Sequence, residues 1–200
     1  KAFKHLNFDK STATAESGVM LGRIVRESIK RNLSGLESLI GVPGTLGGAL
    51  VMNAGAFGGE ISNYLQSVTT MNMHGKTKSY NPNDLNFSYR FSSFKKDEFI
   101  ISAKFILKEE DPNIIHQKKD SANLGRKTNQ PLKFRSAGSV FKNPKKYAAG
   151  YLIDKVGLKG TKIGDAEISK HHANFFINNG KASSSDILNL IKLAKEKVKK

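Results

Sequence analysis

Three segments carry side chains that can act on an anionic substrate. Phe87-Ser88-Tyr89-Arg90-Phe91-Ser92-Ser93-Phe94 sets a single arginine among aromatics and hydroxyls. A guanidinium held rigidly there can pair through two N–H groups with a carboxylate or a phosphate. The plainer alternative is a strand-edge arginine whose stem covers apolar surface. Arg135-Ser136-Ala137-Gly138-Ser139-Val140-Phe141-Lys142-Asn143-Pro144 presents a serine, then a lysine and an asparagine. Serine can supply a proton where a carbanion or enol must be quenched, provided nearby charge lowers the cost of ionising it; the alternative is an ordinary turn. No G-x-S-x-G elbow with a histidine base points to a hydrolase. The third segment, Gly41 to Gly59, reads GVPGTLGGALVMNAGAFGG, with seven glycines in 19 residues. Such a run lets backbone amides approach a bulky anionic or aromatic ligand without Cβ interference. Close packing of a turn accounts for the same glycines equally well. Neither a Walker A lysine-serine pair nor G-x-G-x-x-G after a strand is present. His171 and His172 lack metal-ligand spacing, so no metal site is expected and the pair reads as structural or substrate-contacting.

These segments must be positioned by the elements around them, and helix and strand signals alternate along the chain. Leu21, Ile24, Val25 and Ile29 recur at helical spacing and Gly35 follows as a stop, which predicts an amphipathic helix over about Gly18 to Leu33. Gly41 to Gly59 is expected as loop and turn. Two β-prone runs, Ser67 to Met73 and Lys76 to Tyr80, flank His74-Gly75 as a hairpin. Phe99 to Leu107 is expected as a strand. Glu109 to Gln130 is polar and holds Pro112 and two basic pairs, Lys118-Lys119 and Arg126-Lys127, which makes it the candidate domain boundary. Beyond it, a strand is expected at Ala173 to Asn178. A terminal helix follows with Ile187, Leu190, Ile191, Ala194 and Val198 on one face, Ser183 and Asp186 at its cap, and cations in its last turn. No internal repeat appears, and the architecture is α/β or α+β in two lobes.

At 200 residues and 38% hydrophobic, the chain can bury one core or two small ones. It has no cysteine, which removes disulfides and thiolate metal sites and fits a reducing compartment, so a cytoplasmic location is expected. No secretory signal is visible at Lys1 to Asp9. The longest uncharged stretch, Leu39 to Gly59, is interrupted by Pro43 and glycines, which argues against a membrane span. The net charge is +16, but lysine outnumbers arginine 27 to 6 and the lysines are scattered, so a solvated basic surface is favoured over a nucleic-acid site. A positive field drawing in an anionic small molecule is the functional alternative.

Read together, the segments resemble one family closely, the UDP-N-acetylenolpyruvoylglucosamine reductases. The resemblance runs from about Ala15 to the C-terminus through GLESLIGVPGTLGGALVMNAGAFGGEI, FSYRFSSF, RKTNQP, SAGSVFKNP, AGYLIDKVGLKGTKIGDAEIS and KHHANFFIN, in the family's order. It implies an α+β chain: part of a vanillyl-alcohol-oxidase-like (PCMH-type) FAD-binding lobe over 1–115, then an α/β substrate-binding C-terminal domain over 116–200. The implied reaction is NADPH-dependent reduction of UDP-N-acetylglucosamine enolpyruvate to UDP-N-acetylmuramate through FAD, in peptidoglycan precursor synthesis. Those two small molecules are the implied partners, with no nucleic acid, membrane or obligate protein partner. A different flavin oxidoreductase of the same fold would lack the pairing of SAGSVFKNP with the Tyr89-Arg90 motif.

By match of motif, Arg90 is the arginine that holds the substrate carboxylate and stabilises the enolate-like intermediate, and Ser139 delivers the proton. Pro43, Gly44, Thr45, Gly47, Gly48, Asn53 and Gly55 fall where the family contacts FAD. Tyr89, Lys127, Asn143 and His172 fall at substrate contacts, and Lys142 is a further diphosphate candidate on charge. The family's G-x-G-S-N diphosphate loop has no counterpart here, and neither does its L-x-P-E glutamate, for which Glu196 is no substitute by motif. The expectation is therefore a chain truncated at both ends that binds FAD weakly or not at all and turns over poorly. No tyrosine-bearing insertion lies between Phe94 and Gln130, which points to the family's shorter subgroup.

Overall fold

The computed structural model describes residues 3–199 and divides into two compact units, one up to residue 124 and one from 125 onward. In the first, Thr12–Glu16 (TATAE) alternates half-buried residues with the wholly buried Ala13 and Ala15, the period of two that puts one strand face on a core. This strand pairs antiparallel with Leu6–Asp9 on one side and Glu98–Ile106 on the other. Leu65–Asn72 and Thr77–Tyr80 complete the five-stranded sheet. The expected hairpin at His74-Gly75 is formed: Met71 faces Thr77, and Gly75 takes φ +77°, a left-handed turn conformation that favours glycine. The strand expected at Phe99 to Leu107 is Glu98–Ile106.

Helix α1 (Leu21–Ile29) buries Leu21, Ile24, Val25, Ser28 and Ile29, the face that the spacing predicted. It is shorter than expected. Asn32 at φ +57° takes the chain out of the helix, and Leu33–Ser34 pairs instead with Lys108–Glu109. The glycine-rich run departs more from expectation, because its centre is a helix, α2 (Leu46–Val51), rather than loop and turn throughout. Glycine costs about 1 kcal/mol in a helix interior. Packing overrides that cost: Leu46 and Leu50 are wholly buried, and the amides of Leu46 and Gly47 donate to the carbonyls of Val19 and Ser17 at 2.8 and 2.9 Å.

The polar stretch read as a boundary is largely helical. Helix α3 (Pro112–Asn129) buries only Ile115 and Ala122, and the division between the units falls inside it. Its polarity is that of an exposed helix rather than a loop, and Asp111 Oδ1 accepts the Asn113 N–H at 2.7 Å at its start.

The second unit holds an antiparallel sheet in the order Arg135–Ser139, Phe175–Asn178, Ala166–Ile168, Lys162–Ile163. Helices α4 (Ala149–Lys155) and α5 (Ser184–Lys199) supply Ile153, Leu190 and Ala194 to a core shared with Leu158, Ile168 and Phe176. The cap of α5 is reciprocal, as its sequence predicted: Ser183 N–H donates to Asp186 Oδ2 at 2.8 Å, and Asp186 N–H donates to Ser183 Oγ at 3.1 Å.

Candidate functional site

The glycines of the run serve two purposes that sequence could not separate. A Cβ on Gly47 would lie 3.2 Å from Ser17 Cβ, and one on Gly59 would collide with the Ser38 hydroxyl, so these two positions are glycine for packing. At Gly44 and Gly48 a Cβ would meet nothing within 4 Å, and both residues are exposed. Gly44 also takes φ +115°. Gly44 and Gly48, with the exposed Pro43, therefore leave an uncovered surface on either side of Thr45, which is half-buried and bridged to Met20. Beside that surface, Thr45 and Gly47 join Ser17, Gly18, Glu98 and Ile100 along an open groove of about 340 Å³. Unobstructed backbone of this kind fits the phosphates or ring of a bound flavin.

Asn53 and Gly55 stand on the other, packed side of the run. Asn53 is wholly buried at φ +39°, and its Nδ2 donates to Glu60 Oε2 at 2.7 Å and to the Ser88 carbonyl at 3.2 Å. Its Oδ1 has no hydrogen-bond partner. Gly55 and Ala56 form a two-residue antiparallel ladder with Gly59 and Glu60.

Arg90 projects from a second small hairpin, in which Phe87–Ser88 pairs with Phe91–Ser92 and Tyr89-Arg90 makes the turn. Its φ is +54°, a conformation that a non-glycine residue keeps only where its surroundings fix it. The guanidinium Nη2 donates to the Gly55 carbonyl at 2.7 Å, and its carbon lies 5.1 Å from the Tyr89 ring centre. The plainer sequence alternative, a strand-edge arginine covering apolar surface, does not describe this geometry. The structure brings Arg90, Tyr89, Asn53 and Gly55 together within the first unit.

Ser139 belongs to the second unit, where it ends the edge strand Arg135–Ser139 and is exposed. It pairs with Phe175 across a register shift that spans Ala137-Gly138, with Gly138 at φ +87°. Asn174, buried, fixes the residues that follow. Its Oδ1 accepts the Phe141 N–H and its Nδ2 donates to the Phe141 carbonyl, both at 2.9 Å, while its own carbonyl accepts the Val140 N–H at 2.8 Å. Asn143 Oδ1 accepts the Ala149 N–H at 3.0 Å, which ties the exposed Lys142-Asn143 turn to the start of α4.

His172 packs edge-on against Phe175, 4.8 Å between ring centres, and its Nδ1 accepts the Asn174 N–H at 3.2 Å. Burial pushes its imidazole below the usual histidine value, and the neighbouring His171 and Lys159 act in the same direction. His171 Nε2 lies 2.7 Å from the Thr128 carbonyl, next to the exposed Lys127 in the last turn of α3. Among the described residues no group of three acidic or histidine side chains could hold a metal ion. No described helix is long and apolar enough to cross a membrane.

Sequence reasoning missed Glu60, Asn174 and Ser17. Asn174 carried a readable signal: an asparagine inside the apolar stretch Ala173 to Ile177 must be buried, and a buried amide must find partners. Glu60 and Ser17 carried none, since their roles depend on contacts between separate segments.

Two family models match the chain: the FAD binding domain over residues 1–81 and the UDP-N-acetylenolpyruvoylglucosamine reductase C-terminal domain over residues 130–200. A reductase of that name from Clostridium novyi is 45% identical over 186 residues, covering 92% of this chain and 61% of the relative. One from Syntrophomonas wolfei is 40% identical over 197 residues, covering 98% and 66%. The crystal structure of UDP-N-acetylenolpyruvylglucosamine reductase from Thermus caldophilus superposes with a TM-score of 0.88 at 38% identity, covering 95% of this chain and 70% of that one. The chain thus spans about three-fifths of the length of the curated relatives it matches.

Proposed function

Because the chain belongs to the UDP-N-acetylenolpyruvoylglucosamine reductase family, we propose that it contributes to NADPH-dependent reduction of UDP-N-acetylglucosamine enolpyruvate to UDP-N-acetylmuramate through FAD. Gly44, Gly48 and Pro43 hold the flavin directly in this reading because their surface is uncovered, and Thr45 does so where it lines the groove. Asn53 and Gly55 shape the run from its packed side, and Gly47 seats the groove wall on Ser17. FAD held there would supply, when bound and reduced by NADPH, the hydride for the enolpyruvyl double bond.

Arg90 binds the substrate carboxylate. Hydride addition at the terminal carbon leaves negative charge on the carbon beside that carboxylate, and a guanidinium already fixed there stabilises the charge without having to reorganise. Ser139 Oγ–H gives its proton to the same carbon and regains one from solvent. Hydride and proton together saturate the double bond, so the substrate gains the two electrons that NADPH loses. Tyr89, Lys127, Lys142, Asn143 and His172 contact the rest of the substrate, the lysines meeting its diphosphate. A cytoplasmic setting belongs to the proposal, in keeping with a chain that lacks cysteine.

The observation that carries this reading is the 2.7 Å bond from Arg90 to the Gly55 carbonyl, which ties the only cation of the hairpin to the glycine-rich run. The test is the absorption spectrum of the full-length protein. It should show stoichiometric bound flavin that bleaches with NADPH under anaerobic conditions and regains its colour when the enolpyruvyl substrate is added. Bleaching without recovery on that substrate would contradict the proposal.

A further inference from the structure

We infer that Glu60 is a positioning residue for Arg90, acting through Asn53 and without touching substrate. This rests on the carboxylate-binding role proposed for Arg90. Four links close a ring of contacts. Glu60 Oε2 accepts a hydrogen bond from Asn53 Nδ2 at 2.7 Å, and the same nitrogen donates to the Ser88 carbonyl at 3.2 Å. Ser88 opens the turn that presents Arg90, whose Nη2 donates to the Gly55 carbonyl at 2.7 Å. Gly55 is the ladder partner of Glu60, which completes the circuit.

The ring is tight on its inner side. A Cβ on Gly55 would lie 3.0 Å from Glu60 Cγ and 3.4 Å from Arg90 Nη1, so the acid and the arginine flank one glycine. Two of the residues involved, Asn53 and Arg90, hold positive φ. Asparagine tolerates that region, whereas an arginine keeps it only where its surroundings fix it. Asn53 can orient the Ser88 end of the hairpin only if its amide is itself oriented, and the Glu60 carboxylate is the acceptor that does this at the shorter distance. Without it, the amide can rotate, the hairpin loses its tether at Ser88, and the long arginine side chain is ordered to a greater extent by the ligand.

The test compares equilibrium binding of UDP-N-acetylmuramate, which carries the lactyl carboxylate, with that of UDP-N-acetylglucosamine, which does not, by calorimetry on the full-length protein. The ratio of the two affinities reports the carboxylate contact alone. Glu60→Ala should lower that ratio about tenfold while leaving UDP-N-acetylglucosamine binding unchanged. Glu60→Gln should restore it, because an amide oxygen still accepts the Asn53 N–H. Should Glu60→Ala not fold, Glu60→Asp replaces it: the charge remains, the oxygen is withdrawn by one methylene, and the same loss is expected. An unchanged ratio in Glu60→Ala or Glu60→Asp overturns the inference, as does equal weakening of both ligands or failure of glutamine to rescue. Arg90→Ala is the control for the premise: if it leaves the ratio intact, the role of Arg90 itself is wrong, whatever the Glu60 variants do.

Discussion

In the first unit a buried asparagine, Asn53, ties two hairpins together through one amide nitrogen and leaves its oxygen without a partner. In the second, Asn174 places both ends of its amide on the backbone of a single residue, Phe141, and its own carbonyl on Val140. Both arrangements join segments more than 30 residues apart in sequence, but the first holds three segments through one nitrogen and depends on Glu60 to be oriented. The second imitates a strand pair and is saturated. The arginine is thus held through a ring that needs two side chains, Asn53 and Glu60, and the segment after the serine through one self-sufficient amide, Asn174, so the two should respond differently to substitution.

The largest expected effect on stability follows from that difference. Asn174→Ala strands the amide and carbonyl of Phe141 together and should cost about 2–3 kcal/mol in urea unfolding. Asn53→Ala removes an already unpartnered oxygen along with its two donations, and should cost about 1–2 kcal/mol. The reverse order would break the comparison.

Next come the glycines of the first unit. Gly47→Ala presses on Ser17 and should destabilise by about 1–2 kcal/mol. Gly48→Ala meets open space and gains helix propensity, so it should raise the melting temperature slightly. If the uncovered surface holds flavin, that same alanine should weaken flavin binding, which separates a ligand-facing glycine from a packing one in a single pair of variants.

The smallest effect is in pH. The folded protein depresses the His172 pKa, so below the unfolded value of about 6.5 the unfolded chain takes up a proton that the folded one resists. The stabilising contribution of neutral His172 is therefore present above that pH and is lost as pH falls through it, down to the depressed folded value. His172→Phe should flatten this slope in melting temperature between neutral pH and pH 5, and an unchanged slope would remove His172 as its source.

The parts of the fold legible in the sequence were those set by local pattern. The hairpin around Gly75, the apolar face of α1 and the reciprocal cap at Ser183 and Asp186 all follow from spacing and turn chemistry. What failed was local reading where tertiary contact decides. The helix α2 forms against the propensity of its glycines because Leu46 and Leu50 are buried, and the length of α1 is set by Asn32 turning at positive φ. At the site, motif order pointed to Arg90 and Ser139. It gave no indication that Gly44 and Gly48 differ from Gly47, or that Glu60 belongs to the arginine, because those facts lie in distances between segments.

The most direct test of the account takes Ser139→Ala and Arg90→Lys through the two half-reactions separately, by anaerobic stopped-flow on the full-length protein. The account predicts that flavin reduction by NADPH stays within about twofold of the parent in both, while reoxidation by the enolpyruvyl substrate slows by roughly 10²–10⁴-fold in Ser139→Ala and measurably in Arg90→Lys, where the paired N–H groups are lost. Equal slowing of both half-reactions in Ser139→Ala, or undiminished reoxidation, would contradict it.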